Sequence, residues 1–266
     1  MQQQVYKKHE QKLTRAQAPW IGARARTAVI IPSTNIGVEY DCMQFLPPGV
    51  TWHFSRFWVS QPDLSSDNMF LAFIDEIRKT IPDSMRNAMT CEPSYIMMGM
   101  SAETFWGGLQ GNKEFEDRLR DVIGPEIGLT SGAAALKAAL DCFGAKKVSA
   151  ITPYQPVGDE QVHRFLEESG YEVHKVIGLK CDTATSIAHT PPREVIEMIV
   201  DELDAPDVDA IVQAGTNLST IDIFPTLEHM LGKPVIPINV ATIWHALRAQ
   251  GIQDRFQGKG WLVERF

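Results

Sequence analysis

Cysteine is scarce in this 266-residue chain, and charge is nowhere gathered into blocks. The four cysteines, Cys42, Cys91, Cys142 and Cys181, show no C-x-x-C spacing and fall short of a disulfide scaffold, so a reducing, cytoplasmic setting is expected. No stretch approaches the roughly 18 apolar residues a membrane-crossing helix needs, and Met1–Lys12 is too polar for a secretory signal. The seven histidines lie far apart, with no H-E-x-x-H and no His/Cys cluster, so no metal site is expected. A Walker loop, G-x-G-x-x-G and G-x-S-x-G are all missing. The net charge of −8 is spread without a basic footprint, which argues against nucleic acid as a partner. A small anion remains possible, because a local nest of backbone N–H groups can hold one whatever the overall charge.

What the chain does have is alternation. Short apolar runs that read as buried strands (Thr27–Ile31, a segment around Val50–Phe54, Tyr95–Met98, Val148–Thr152, Tyr171–Leu179, Ala210–Gln213, Val235–Ile238) alternate with helical patterns. Phe70, Phe73, Ile74, Ile77 and Ile81 predict a helix over Asp67–Ile81, and further helices are expected over Glu114–Ile123, Glu160–Ser169 and Ala241–Gln250. Ser131 caps an Ala-rich helix that stops at Gly144, and Pro192 opens another. The fold class is therefore α/β, with parallel sheets covered by helices on both faces, and the strand count suggests two such sheets.

In open α/β sheets the ligand sits beyond the carboxyl ends of the strands. Four segments there are small and rich in hydroxyl or amide groups: Pro32-Ser33-Thr34-Asn35, Gly99-Met100-Ser101-Ala102-Glu103-Thr104, Thr152-Pro153-Tyr154 and Ala214-Gly215-Thr216-Asn217. Each alone reads as an ordinary strand–helix turn with capping residues. Together they suggest a carboxylate-binding frame of hydroxyl, amide and backbone N–H donors.

The segment Arg24-Ala25-Arg26 leading into Ile30-Ile31-Pro32-Ser33-Thr34-Asn35, with Glu39, resembles the opening of the maleate isomerase and arylmalonate decarboxylase group. That group belongs to the aspartate/glutamate racemase superfamily. Thr152-Pro153-Tyr154, the stretch Ala210–Asp222 with Pro225 and Leu227-Glu228, Gly232-Lys233-Pro234-Val235 and the helix of Trp244 are similar to its later motifs. The resemblance runs from about Arg24 to Gly251. It implies two flavodoxin-like lobes related by a pseudo-two-fold axis with the site between them, a homo-oligomer, and chemistry needing no cofactor or metal. The division expected is an arm over 1–25, a first lobe over 26–127 plus 241–266, and a second over 128–240. It also implies that each lobe places a cysteine after equivalent strands. Here those positions hold Gly99 and Gly215. Cys91 falls at the wrong end of its strand, and Cys42, Cys142 and Cys181 lie in segments without strand-end character, so thiol catalysis is not expected.

What the resemblance leaves is the frame. Pro32, Ser33, Asn35, Gly99, Met100, Ser101, Tyr154, Gly215, Thr216 and Asn217 are the candidates for substrate binding, and Glu103 and Tyr154 for moving a proton. For Glu103 the plainer reading is a helix-start carboxylate set against the helix dipole, and His245 reads as a packed or surface histidine. An apolar wall from Trp52, Phe54, Phe57, Trp58, Phe105 and Trp106 would favour release of CO2 or accept an alkyl or aryl group, or would simply be core. The expectation is an enzyme acting on a small carboxylate or dicarboxylate through an enediolate-like intermediate, a decarboxylase-type lyase before a cysteine-free cis–trans isomerase or racemase. A catalytically silent carboxylate-binding protein is the reading from another class.

Overall fold

The computed structural model describes residues 20–266; most of the expected arm, residues 1–19, lies outside them. The first sheet holds β1 (Ala25–Pro32), β2 (Val50–Phe57), β3 (Tyr95–Met98) and β4 (Gly128–Thr130) in the order β2-β1-β3-β4. The second holds β5 (Lys147–Thr152), β6 (Glu172–Gly178), β7 (Ala210–Gln213) and β8 (Val235–Pro237) in the order β6-β5-β7-β8. Every pairing within both sheets is parallel, and the two orders are the same. In each sheet the chain therefore reverses its direction of travel between the two central strands, β1 and β3 or β5 and β7. The crevice at such a switch point is where open α/β sheets bind ligands.

The helices are α1 (Gly37–Gln44), α2 (Asp67–Met89), α3 (Ala102–Phe105), α4 (Gly108–Ile123), α5 (Gly132–Phe143), α6 (Pro156–Glu168), α7 (Pro192–Met198, continued by a π turn over Ile199–Leu203), α8 (Phe224–Leu231), α9 (Ile238–Ala249) and α10 (Trp261–Arg265). The local grammar explains many of their ends. The Ser66 and Ser131 side chains accept the N–H groups of Met69 and Ala134, while Gly144 and Gly232 take the left-handed conformation that closes α5 and α8. One continuous core runs through both lobes: it holds Val29, Ile30 and Ile31 of β1 with Ile74, Ile77, Ile81 and Met85 of α2, and Ile151, Ile211 and Val212 of the second sheet with Val162, Phe165 and Leu166 of α6.

Several sequence expectations need correction; α4 starts at Gly108 and α6 at Pro156, ahead of the expected Glu114 and Glu160. Helix α2 does not stop at Ile81 but runs through Pro82 to Met89, because Ile81, Met85 and Ala88 continue its buried stripe. Residue Ile238 is not the end of a strand; it opens α9 directly after Pro237, three residues ahead of the expected start. Strand β4 belongs to the first sheet, so a lobe boundary before residue 128 cuts that sheet, and the chain leaves it only after Thr130. The following α5 packs chiefly on α9, which also touches α1, β3 and β4.

Candidate active site

The loops after β1, β3, β5 and β7 meet where the carboxyl ends of the two sheets face each other. They enclose a cavity of about 60 Å³. Pro32, Thr34 and Asn35 line it from the first loop, Met100, Ser101 and Ala102 from the second, Pro153 and Tyr154 from the third, and Gly215, Thr216 and Asn217 from the fourth. Apolar side chains complete the wall: Leu64, Phe70, Phe73, Ala184 and Ile187, with Cys181 beside them. Among the described residues, no Lys, Arg, His, Asp or Glu lines it. Thr34, Met100, Ser101, Gly215 and Asn217 carry main-chain N–H groups that make no hydrogen bond to another described residue.

A chain of hydrogen bonds crosses the cavity from one lobe to the other. Ser101 Oγ lies 2.5 Å from the Tyr154 hydroxyl, the Tyr154 hydroxyl donates to the Ala214 carbonyl at 2.8 Å, and Thr216 N–H donates to Ser101 Oγ at 3.2 Å. With the tyrosine proton on Ala214, Ser101 is the donor of the first bond. Burial holds the Tyr154 phenol above its ordinary value, so it remains a neutral donor. Its ring packs on Phe70 of α2, 5.5 Å between centroids. Asn35 Nδ2 donates to Thr216 Oγ1 at 3.2 Å while its Oδ1 accepts the Val38 N–H at 3.0 Å. Asn217 is a staple: Oδ1 accepts from Ile36 and Gly37 N–H, and Nδ2 donates to the carbonyls of Ala184 (2.8 Å) and Thr34 (3.4 Å).

Residues 66–263 match the family model described as arylmalonate decarboxylase. The chain belongs to the arylmalonate decarboxylase family. Among curated relatives, maleate isomerase of Geobacillus stearothermophilus is 28% identical over 253 residues, covering 90% of this chain and 96% of that protein. Arylmalonate decarboxylase of Bordetella bronchiseptica is 23% identical over 178 residues, covering 66% and 73%. Maleate cis-trans isomerase of Nocardia farcinica bound to TRIS superposes with a TM-score of 0.81 at 20% identity, covering 91% of this chain and 98% of that one. The two-lobed fold is thus the one seen in solved structures of maleate isomerase and arylmalonate decarboxylase.

In this member of the family, some residues singled out from sequence lie away from the cavity. Ser33 turns aside: its Oγ accepts the Val59 N–H at 3.0 Å. Gly99 lies behind the site, where an added Cβ would fall 2.5 Å from Ile31 Cγ2 and 3.2 Å from the Ile30 carbonyl. Gly215 does line the cavity, but a Cβ there would lie 2.5 Å from Pro153 Cδ. Neither position has room for a side chain without movement of its neighbours. The structure does not bring Glu103 into the cavity. Its buried carboxylate meets Arg78 Nε at 2.7 Å and Arg118 Nη2 at 3.2 Å through Oε1, and Oε2 has no partner among the described residues. Burial raises its pKa while the two guanidinium groups oppose the rise. His245 Nδ1 pairs with Thr130 Oγ1 at 2.8 Å, tying α9 to β4. Of the aromatic wall expected from sequence, none lines the cavity; Phe70 and Phe73 do so instead.

Other residues were not legible. Arg56 Nη1 donates to the Asn35 carbonyl at 2.8 Å and reaches those of Ser33 and Pro32, while its other nitrogen pairs with Glu39, so one guanidinium braces the first loop. Asp41, buried without a cationic partner among the described residues, accepts from Ser219 Oγ at 2.6 Å and Asn239 Nδ2 at 2.7 Å; Asn239 in turn donates to the Thr216 carbonyl. Burial pushes Asp41 up to about 6. Thr104 and Asn112 pin the Ser101 turn through the Ser101 and Thr104 carbonyls. Cys181 is a correction: it follows β6 by three residues and does have strand-end character. The strand expected over Tyr171–Leu179 holds that signal, because its end sits beside the end of the strand before Tyr154 once β6 pairs with β5.

Proposed function

We propose that this protein is a cofactor-independent enzyme that binds a small carboxylate and works through an enediolate-like intermediate, a decarboxylase-type lyase. The observation that carries the reading is a small, mostly apolar cavity whose polar side chains, among the described residues, are all uncharged and whose wall carries backbone N–H groups without a partner there. Such donors can hold one carboxylate and stabilise the enediolate it becomes, as preorganised donors do for developing negative charge. Among the described residues the remainder of the wall offers no cation to a second carboxylate, which favours its departure as CO2.

In this reading Ser101 and Tyr154 are the hydroxyl donors. A bound carboxylate competes with the Ala214 carbonyl for the tyrosine proton and wins, because hydrogen bonds to an ionised acceptor are about twice as strong as neutral ones. Met100, Gly215 and Asn217 contribute N–H groups, Asn35 and Thr216 fix the opposing loop, and Pro32 closes the wall. Ser33 and Gly99 act on backbone placement, and Glu103 steadies α3 without touching substrate.

The relatives named maleate isomerase favour a second reading, cis–trans isomerisation of a maleate-like diacid. Proton NMR in D2O with malonates, maleate, hydroxy-diacids and amino acids separates the readings. Loss of CO2 with deuterium in the product is the expected result. Fumarate from maleate would instead establish the isomerase. A carboxylate that raises the melting temperature without any turnover would leave a binding protein.

A further inference from the structure

Protonating an enediolate carbon requires an acid in the cavity, and the hydrogen-bonded donors are poorly placed to be that acid. In the complex read above, the Tyr154 proton passes from the Ala214 carbonyl to the retained carboxylate and the Ser101 proton stays on Tyr154, so neither is left for the carbon. Asn35 and Asn217 are amides with their side chains spent on the loops. Among the described lining residues, Cys181 is the one left with an ionisable X–H group outside this network.

We propose that Cys181 is the proton donor of the lyase reaction, an assignment that rests on the reading above. The chain places it firmly. Cys181 N–H donates to the Pro153 carbonyl at 3.0 Å and Lys180 N–H to the Tyr154 carbonyl at 3.2 Å, so the thiol segment and the tyrosine loop form one unit. Lys180 turns the chain with a φ of 52°, and the Cys181 sulfur has Thr190 Oγ1 at 3.8 Å. Burial, with Glu194 and Asp182 nearby, keeps the thiol above its ordinary range and hence protonated at neutral pH. In the reaction the bond from the α-carbon to the departing carboxylate breaks, its electron pair enters the enediolate of the retained carboxylate, and CO2 leaves. The S–H bond of Cys181 then breaks as its proton forms the new C–H bond. The thiolate regains a proton from water.

The test uses the full-length protein with 2-methylmalonate and 2-phenylmalonate. Cys181→Ala is expected to lower kcat about 100-fold or more with KM little changed, the loss typical of removing a positioned acid. Wild-type kcat is expected to fall at alkaline pH as the thiol ionises, a limb that Cys181→Ser lacks. Iodoacetamide labelling read by peptide mass spectrometry should be slowed by phenylmalonate at Cys181 and not at exposed Cys91 or Cys142. Cys91→Ala serves as the control with unchanged activity. Wild-type turnover with unaltered kcat in Cys181→Ala overturns the assignment alone, as does labelling at Cys181 that phenylmalonate leaves untouched. A wild-type protein that turns over neither malonate overturns both the assignment and the lyase reading.

Discussion

The two lobes share a sheet order yet equip the cavity differently. From the first come Ser101 and the Thr34–Asn35 loop, held by Arg56 and Glu39; from the second come the Tyr154 hydroxyl, the Thr216 loop and the Cys181 thiol. Their buried carboxylates differ as well. Glu103 in the first lobe has two arginines, whereas Glu228 of α8 accepts, among the described residues, only the N–H groups of Val235 and Trp261; Asp41 of the first lobe stands between them, held by the neutral side chains of Ser219 and Asn239. A duplicated scaffold thus sets where groups can stand, and the side chains at equivalent strand ends decide which half can bind, donate a proton or respond to pH.

Removing the tyrosine hydroxyl should have the largest effect. Tyr154→Phe takes away one donor and strands the Ala214 carbonyl and Ser101. Activity on a malonate is expected to fall by about 100- to 1,000-fold, with about 1–2 kcal/mol of stability lost in a urea melt. Equal activity in the variant would show that the second lobe supplies no donor through this residue.

The largest single pH response should come from the second lobe. Burial pushes Glu228 from 4.5 up to about 7 despite its two N–H donors. A raised carboxyl pKa means that the folded state binds the proton more tightly than the unfolded one. Stability therefore falls as pH rises from about 4.5 to 7, by up to about 3 kcal/mol, and is flat on either side of that window for this residue. Melting temperatures across pH 4 to 8 should show the fall in wild type and a shallower one in Glu228→Gln. Asp41 and Asp159, each raised to about 6, share the sign and leave a residual slope.

The glycines at equivalent strand ends sharpen the comparison. Alanine at either should cost about 1–3 kcal/mol by overpacking. At Gly99 the new methyl meets Ile31 and the Ile30 carbonyl, behind the site. At Gly215 it meets the rigid Pro153 ring, which is itself cavity wall. Gly215→Ala is thus expected to weaken carboxylate binding as well as stability, whereas Gly99→Ala should act mainly on stability; calorimetric titration beside a denaturant melt reads the two apart.

The fold was largely legible because buried parallel strands are short apolar runs and Ser131, Gly144, Pro192 and Gly232 punctuate the helices between them. Helix α1 was not, since Gly37–Gln44 buries Asp41 and exposes Tyr40 and Met43, which scrambles its periodicity. Strand β4 is three residues long and carries too little pattern. Loop chemistry showed where a site must lie, and it drew Ser101, Tyr154 and Thr216 into one list. Which way a side chain turns depends on tertiary partners: Val59 claims Ser33, two arginines claim Glu103, and the pairing of β6 with β5 delivers Cys181.

Glu103 provides the smallest effect and the cleanest separation of scaffold from chemistry. In Glu103→Gln the amide oxygen can still accept from Arg78 Nε, and shape is conserved. What goes is the charge facing Arg78 and Arg118. Those guanidinium groups keep 37% and 54% of their surface exposed, so water takes over much of their solvation. The loss should be about 1 kcal/mol, nearer a surface pair than a buried one, with kcat and KM within about two-fold of wild type. A large fall in kcat with an unchanged melt would place the Glu103 carboxylate in the proton path. It would then be the first lobe, as well as the second, that handles the proton.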